Sequence, residues 1–287
     1  MSLLRARTPL KALIGYRLRF VLLWIRNGFR ARTILCYPGY PHKKTVLFKI
    51  CREAGFNIST RSDRPFDLAI AWENVTWRDE YPELERIGIR SKVLNLNCRD
   101  ISKSRLGEVF DRVFGYPLTV NPTTHEGDCA KKNDRNASKS GEIVHCPIAQ
   151  REEGFAYHRL VRSDCGDGLL EEIRVPVIDG LIPMVFIKHK SADDRFRTNW
   201  LDVTEKTAQE VFSEAELEKI GEFCRAFGLD YGEIDVLRDV DDGRIYIVDA
   251  NNTPWGPPRI LPERHRRDIV RRQAALFIRS FLENREA

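Results

Sequence analysis

The stretch Tyr231–Pro258, Y-G-E-I-D-V-L-R-D-V-D-D-G-R-I-Y-I-V-D-A-N-N-T-P-W-G-P-P, decides how the rest of the chain is read. Apolar residues alternate in Ile234-Val236 and again in Ile245-Ile247, with Asp241-Asp242-Gly243 as a turn between them, a pattern that predicts a β-hairpin. Side chains of one parity share a face of such a pair, so Asp235, Asp249 and Asn251 are expected to project the same way. Two carboxylates and an amide at a strand end make a hard-oxygen donor set, suited to magnesium held together with a phosphate. The plainer alternative is that these residues are turn formers, since Asp and Asn are common where strands end.

The residues Ile234-Asp235-Val236 and Val248-Asp249-Ala250-Asn251-Asn252-Thr253-Pro254 resemble the last strand pair of the ATP-grasp superfamily, with its I-D-x-hydrophobic run, acidic turn and E-x-N-x-x-P ending. Within it the C-terminal half is similar to carboxylate–amine ligases of the D-alanyl-D-alanine ligase and ribosomal-protein glutamate ligase type. Asp249 stands where the family usually has Glu, one methylene shorter. The resemblance implies an α/β protein with α+β lobes. An N-terminal β/α domain would precede a nucleotide cleft between two lobes, and ATP with Mg2+ (Mn2+ as a substitute) would be bound by Asp235, Asp249 and Asn251.

Outward from the hairpin, composition is that of an ordinary globular protein, 42% hydrophobic and 31% charged over 287 residues, enough for two or three lobes. Net charge is +5, but unevenly spread. No Asp or Glu precedes Glu53, while twelve Lys and Arg do, which leaves 35 basic against 42 acidic residues in the remainder. Seven cysteines without a C-x-x-C pair argue against a disulfide framework or a zinc site and for a reducing, cytoplasmic setting. His125, His145 and His158 stand singly and read as packing or surface residues.

Four segments are expected: residues 1–32, 33–100, 101–195 and 196–287. The first is basic and apolar, but its uninterrupted apolar run, Phe20–Ile25, is far short of the ~20 residues that cross a bilayer. It reads as a helix packed on the body; the second reading is peripheral contact with an anionic membrane through Phe20, Trp24 and Phe29. Strands at 34–37, 66–72 and 93–97 alternate with helices at 45–54 and 79–87, which predicts a parallel β/α unit without a glycine-rich phosphate loop. Residues 118–190 read as short antiparallel strands, and Asp193–Arg197 as a mobile loop that offers Arg197. Ser213-Glu214-Ala215-Glu216 opens a capped helix to Phe227, and a terminal helix is expected over 263–285.

By resemblance, Lys103 reaches a nucleotide phosphate from a helix start, and Lys131 or Lys132 does so from the small lobe, Lys132 being preferred. The strand Tyr157–Val161 is the expected hinge against adenine, although it lacks the family's usual acid. The stretch Glu172-Ile173-Arg174-Val175 resembles the family's E-x-R-V strand and gives Arg174, with Lys188 on the return strand, the task of neutralising a transferring phosphoryl group. The implied activity is a carbon–nitrogen bond-forming ligase that activates a small-molecule or peptide carboxylate as an acyl phosphate for attack by an amine or thiol. An ATP-dependent kinase of the same fold, or a nucleotide-binding protein without turnover, are the rivals. Glu233, where D-alanyl-D-alanine ligase carries Arg, argues against that particular enzyme. No Walker-type loop, G-x-S-x-G elbow or nucleic-acid recognition pattern is present.

Overall fold

The structure is a computed structural model that describes residues 31–136, 138 and 140–283. The helix expected within residues 1–32 therefore lies outside the described residues except for its last two positions, and so do positions 284 and 285 of the expected terminal helix. Among the described residues no helix is long and apolar enough to cross a membrane.

The chain begins with a parallel sheet of β1 (Thr33–Pro38), β2 (Asn57–Ser59), β3 (Leu68–Trp72) and β4 (Val93–Leu94), in the order β2-β1-β3-β4. Helix α1 (Val46–Ala54) starts where the Thr45 hydroxyl accepts from Phe48 N and stops at Gly55, whose φ of 71° closes the last turn. Helix α2 (Pro82–Gly88) leads into β4. All five residues of β3 are buried, as a central parallel strand covered on both faces requires.

The strand expected over 93–97 stops after Leu94, because Asn95 turns left-handed, with φ of 58°. Its buried amide accepts from Asp230 N at 2.9 Å and Tyr231 N at 3.0 Å and donates to the Tyr231 carbonyl at 2.8 Å, while its own N–H donates to the Asp230 carboxylate at 2.7 Å. Four hydrogen bonds thus tie the N-terminal sheet to the start of the hairpin.

Helix α3 (Lys103–Phe114) packs beside a three-stranded antiparallel sheet of β5 (Gly127–Asn133), β6 (Gly141–Cys146) and β7 (Phe155–Arg159), in the order β6-β5-β7. Residues 118–120 form only one bridge, Thr119 to His158, instead of the expected strand. The larger sheet runs β11 (Asp202–Lys206), β10 (Val185–Ser191), β9 (Leu169–Ile178), β12 (Tyr231–Arg238) and β13 (Ile245–Asn251), with β8 (Asp164–Gly166) also paired to β9. This sheet crosses the boundary expected at residue 195. β9 and β10 therefore share a sheet with the hairpin, and β5–β7 alone form the opposing small sheet. Within the segment expected as a loop, a 3-10 turn covers Ala192–Asp194, and Arg195 donates to the Val161 carbonyl at 3.0 Å.

The faces of the large sheet are unlike. On one, Val175, Val177, Ile234 and Val236 are 0–1% exposed and pack with α3 and with α4 (Glu214–Phe227), which Ser213 opens in the expected capping box. Burying each such side chain contributes about 1.5–3 kcal/mol. The other face is charged and holds the site. Helix α5 (Glu263–Ile278) then returns to the N-terminal sheet, where Ala274 and Phe277 join Ile34, Leu47, Ile50 and Trp72 in one core. That return brings the chain after the hairpin against the loop before α1.

Candidate nucleotide and phosphoryl-transfer site

The hairpin turn sets β12 against β13 with Arg238 opposite Ile245 and Val236 opposite Ile247. Continued unchanged, that register would pair Asp235 with Val248. A bulge between Asp235 and Val236 absorbs Val248 and brings Asp235 directly opposite Asp249, and Glu233 opposite Asn251. Across the other edge of β12, Asp235 faces Arg174 of β9, and on β9 Glu172 faces Lys188 of β10. The alternation of four strands thus gathers Glu172, Arg174, Lys188, Asp235 and Asp249 on one face from stretches some sixty residues apart.

Their contacts are specific. Arg174 grips Asp235 with Nε on Oδ1 at 2.9 Å and Nη2 on Oδ2 at 3.0 Å, a bidentate pair. Lys188 Nζ donates to Glu172 Oε1 at 3.1 Å and lies 3.5 Å from Asp235. Lys190, two residues on, donates to the other Glu172 oxygen at 3.3 Å. Trp200 covers both ammonium groups, 4.4 Å from Lys188 and 4.8 Å from Lys190. Burial opposes the charge on Asp235, yet the Arg174 guanidinium and Lys188 ammonium outweigh it and hold the carboxyl well below the usual range. Glu233, two residues back, goes the other way. Burial pushes it up to about 7 despite Arg174 and Lys188. Buried ion pairs of this kind rarely add net stability. A fold that keeps three cations on one face is equipped for an anion.

From the opposite side, Ser102 caps α3 by accepting from Arg105 N at 3.2 Å, and Asp134 accepts from Ser104 N at 2.8 Å. The helix start so fixed aims Lys103 into the site, where Nζ pairs with Asp249 and lies 3.4 Å from Asn136 Oδ1. The Lys103 backbone is held in turn by His158, whose Nε2 donates to its carbonyl at 3.1 Å. Burial and the nearby Lys132 and Lys103 charges keep that ring neutral by pushing its pKa well below the ordinary value, so the protonated nitrogen must be Nε2. The approach needs Gly107, because a Cβ there would stand 2.4 Å from Thr119 Cγ2 and 3.1 Å from the imidazole.

The two lysines of β5 separate as strand alternation demands. Lys132 enters a narrow cleft of about 80 Å3 between the two sheets, shared with Val161, Leu170, Glu172, Lys190 and Val248. Burial, then the charge on Lys103, lowers its pKa to about 8. Lys131 is on the other face, bound to Glu152 at 2.6 Å and Glu142 at 2.9 Å. Tyr157, its partner in β7, packs there with Cys129 and Cys146. The structure thus brings together Lys103, Lys132, Val161, Arg174, Lys188, Asp235 and Asp249, and turns Lys131 and Tyr157 away. Asn251 is at the correct strand end, but its amide oxygen accepts from Thr253 N at 2.9 Å, the turn-forming role. Lys190 and Trp200 had not been singled out. The Lys188-His189-Lys190 spacing could have found the lysine; nothing local marks the tryptophan.

Among the described residues no three His, Cys, Asp or Glu side chains form a self-sufficient metal cluster. Two hard carboxylates facing each other across a hairpin, with lysines beside them, fit a magnesium ion that takes its remaining ligands from phosphates and water.

No family model matches the sequence, and no curated protein matches it. Solved structures do. The VanG D-Ala:D-Ser ligase from Enterococcus faecalis superposes with a TM-score of 0.56 at 11% identity, over 88% of this chain and 100% of that one. The D-alanine–D-alanine ligase from Bacillus anthracis complexed with ATP gives 0.52 at 13% identity, over 90% and 98%. The ATP-grasp ligase PsnB complexed with the precursor peptide PsnA2 and AMPPNP gives 0.52 at 12%, over 85% and 98%. Taken with a parallel N-terminal sheet, two facing antiparallel sheets and a charged cleft between them, these likenesses establish that the chain has the ATP-grasp fold.

Proposed function

We propose that the protein is an ATP-dependent ligase that activates a carboxylate and joins it to an amine or thiol. The observation that carries this reading is the convergence of Lys103 and Lys132 from the small-lobe side with Arg174, Lys188 and Lys190 from the large sheet around two facing carboxylates, Asp235 and Asp249. The names of the neighbouring structures, all ligases, agree with it.

In this reading the base lies in the apolar end of the cleft near Val161, and the triphosphate runs toward Lys103, Lys132 and Lys190. Asp235 and Asp249 would hold a magnesium ion, with Asn251 at the strand end, and the ion would supply positive charge to the phosphates. Lys103 then leaves Asp249 for a phosphate. Arg174 and Lys188 stand where negative charge moves as a substrate carboxylate oxygen bonds to the γ-phosphorus and the bond to ADP breaks. The amine next attacks the acyl carbon, phosphate departs, and the amine proton passes to solvent. No side-chain nucleophile is needed, because positioning and charge neutralisation supply the catalysis. Glu233 stands where D-alanyl-D-alanine ligase has Arg, which leaves Arg174, paired across from Asp235, as the guanidinium on this face.

The experiment is magnesium-dependent ADP formation against pooled carboxylates and amines, with phosphate measured alongside. Release of one phosphate per ADP is expected. Phosphate retained on the acceptor would make the protein a kinase, and nucleotide binding without any ADP would make it a binding protein.

A further inference from the structure

Beside the charged face lies a second, larger cavity of about 650 Å3, for which the ATP-binding reading has no use. Arg174 and Lys188 form its floor, so it opens onto the reacting end of the proposed site. Its walls come from the loop before α1, the segment around Trp200 and the chain after the hairpin. Lys43, Lys44, Lys49, Arg259 and Arg266 line it, and no Asp or Glu does. Trp255 stands at the rim, half exposed, stacked on His42 at 5.3 Å with the Lys44 ammonium 5.2 Å from its ring.

Among the described residues, none of these five cations forms an ion pair with a carboxylate, although they stand close together around one cavity. On α5 itself Arg267 pairs with Glu263, Arg271 with Asp268 and Arg272 with Glu205. Arg266 has no such partner among the described residues, and its Nε is buried without any hydrogen bond. Lys49 donates only to the carbonyls of Lys44, at 3.0 Å, and Gly256. Burial first, then the charges of Arg266, Arg259 and Arg52, lower its pKa, with the Glu233 carboxylate opposing them. No Asp or Glu occurs in the sequence before Glu53. Like charges kept together at a cost to stability need a counter-charge when the protein is at work, and the size is that of a small-molecule pocket.

We infer that this chamber holds the substrate whose carboxylate is activated, and that this substrate is a small polyanion carrying at least one further carboxylate or phosphate against Lys49, Arg259 and Arg266. The inference rests on the ligase reading for the word "activated", but not for the binding itself. Neutral and singly charged acceptors fill such a chamber poorly, because they leave its cations uncompensated.

The test is calorimetric titration of the full-length protein, with and without Mg-ADP, using tricarballylate, Glu-Glu, O-phosphoserine, acetate and Ala-Ala as probes. The polyanions should bind at least tenfold more tightly than acetate or Ala-Ala. The ratio of tricarballylate to phosphoserine affinity tells carboxylate from phosphate as the second group. Lys43 and Arg259 are exposed, so the K43Q/R259Q variant keeps the fold; it should weaken polyanion binding about tenfold or more and leave Mg-ADP affinity as it was. Arg266→Gln should do the same. Equal binding of all five probes, polyanion affinity unchanged in the variants, or binding of long polymers such as heparin alone would overturn the inference. Loss of Mg-ADP binding by the parent protein would instead strike the ligase reading, while the nucleotide-free titration still judges the chamber.

Discussion

Lys132 gives the most quantitative test of the cleft. Its pKa is lowered from the ordinary 10.5 to about 8, first by burial and then by Lys103. A triphosphate laid against it favours the ammonium, so nucleotide binding must be accompanied by proton uptake once the pH exceeds that value. Affinity then falls about tenfold per pH unit above 8, and Mg-ATP or Mg-ADP should bind roughly tenfold more weakly at pH 9 than at pH 7. The free protein moves the other way. Between pH 8 and 10.5 the unfolded chain holds the proton that folded Lys132 has lost, so this residue makes the fold more stable as pH rises through that window, an increment that Lys132→Arg removes. Arg stays charged throughout, so Lys132→Arg should bind nucleotide with a flat profile from pH 7 to 9.5. Titration of a fluorescent ATP analogue across that range at fixed magnesium reads both. A wild-type affinity constant to pH 9.5, or an equal slope in Lys132→Arg, would show that this lysine does not meet the phosphates.

Three further outcomes follow from the contacts described. Asp249→Ala should abolish magnesium-dependent ADP formation and lower thermal stability without abolishing the fold, since Asp249 is a third exposed but the nearly buried Lys103 loses its carboxylate and keeps only Asn136; an unchanged rate would remove it from the site. Glu172→Gln deprives Lys188 and Lys190 of their shared carboxylate, which should cost about 3 kcal/mol in urea denaturation and be partly restored by inorganic phosphate; stability equal to the parent's would mean that water already serves those ammonium groups. Asn95→Ala should lose the side-chain pin between the sheets, leaving buried backbone groups of Tyr231 unpaired at about 2–4 kcal/mol, again by denaturation. A cost below 1 kcal/mol would show that the two sheets are joined chiefly by their apolar core.

How much of this was legible from residues alone follows from the range over which each signal acts. Helix limits were local and could be read: the helix expected over 45–54 runs Val46–Ala54, and the one expected from Ser213 to Phe227 runs Glu214–Phe227 behind its capping box. The left-handed turn at Asn95 was not, because the partners that hold it are 135 and 136 residues away. Strand parity separated Lys131 from Lys132 but could not say which faced the cleft, since that depends on where β9 lies. The pairing of Arg174 with Asp235 and the gathering of residues 43–49 with 255–266 depend on sheet order and on the return of α5, which no spacing encodes. The hairpin is the most instructive case. Counting strictly back from the turn would place Asp235 opposite Val248 and would put Asp249 opposite Ile234, on the apolar face, which would leave no site at all. One extra residue in β13 reverses that parity, and the adjacent apolar pair Ile247-Val248 ahead of Asp249 is its trace in the sequence. The facing carboxylates thus owe their position to an irregularity in the ladder that accommodates Val248, and deleting Val248 should leave Asp235 opposite Asp249 in a regular ladder, whereas inserting one more residue there should turn Asp249 to the apolar face.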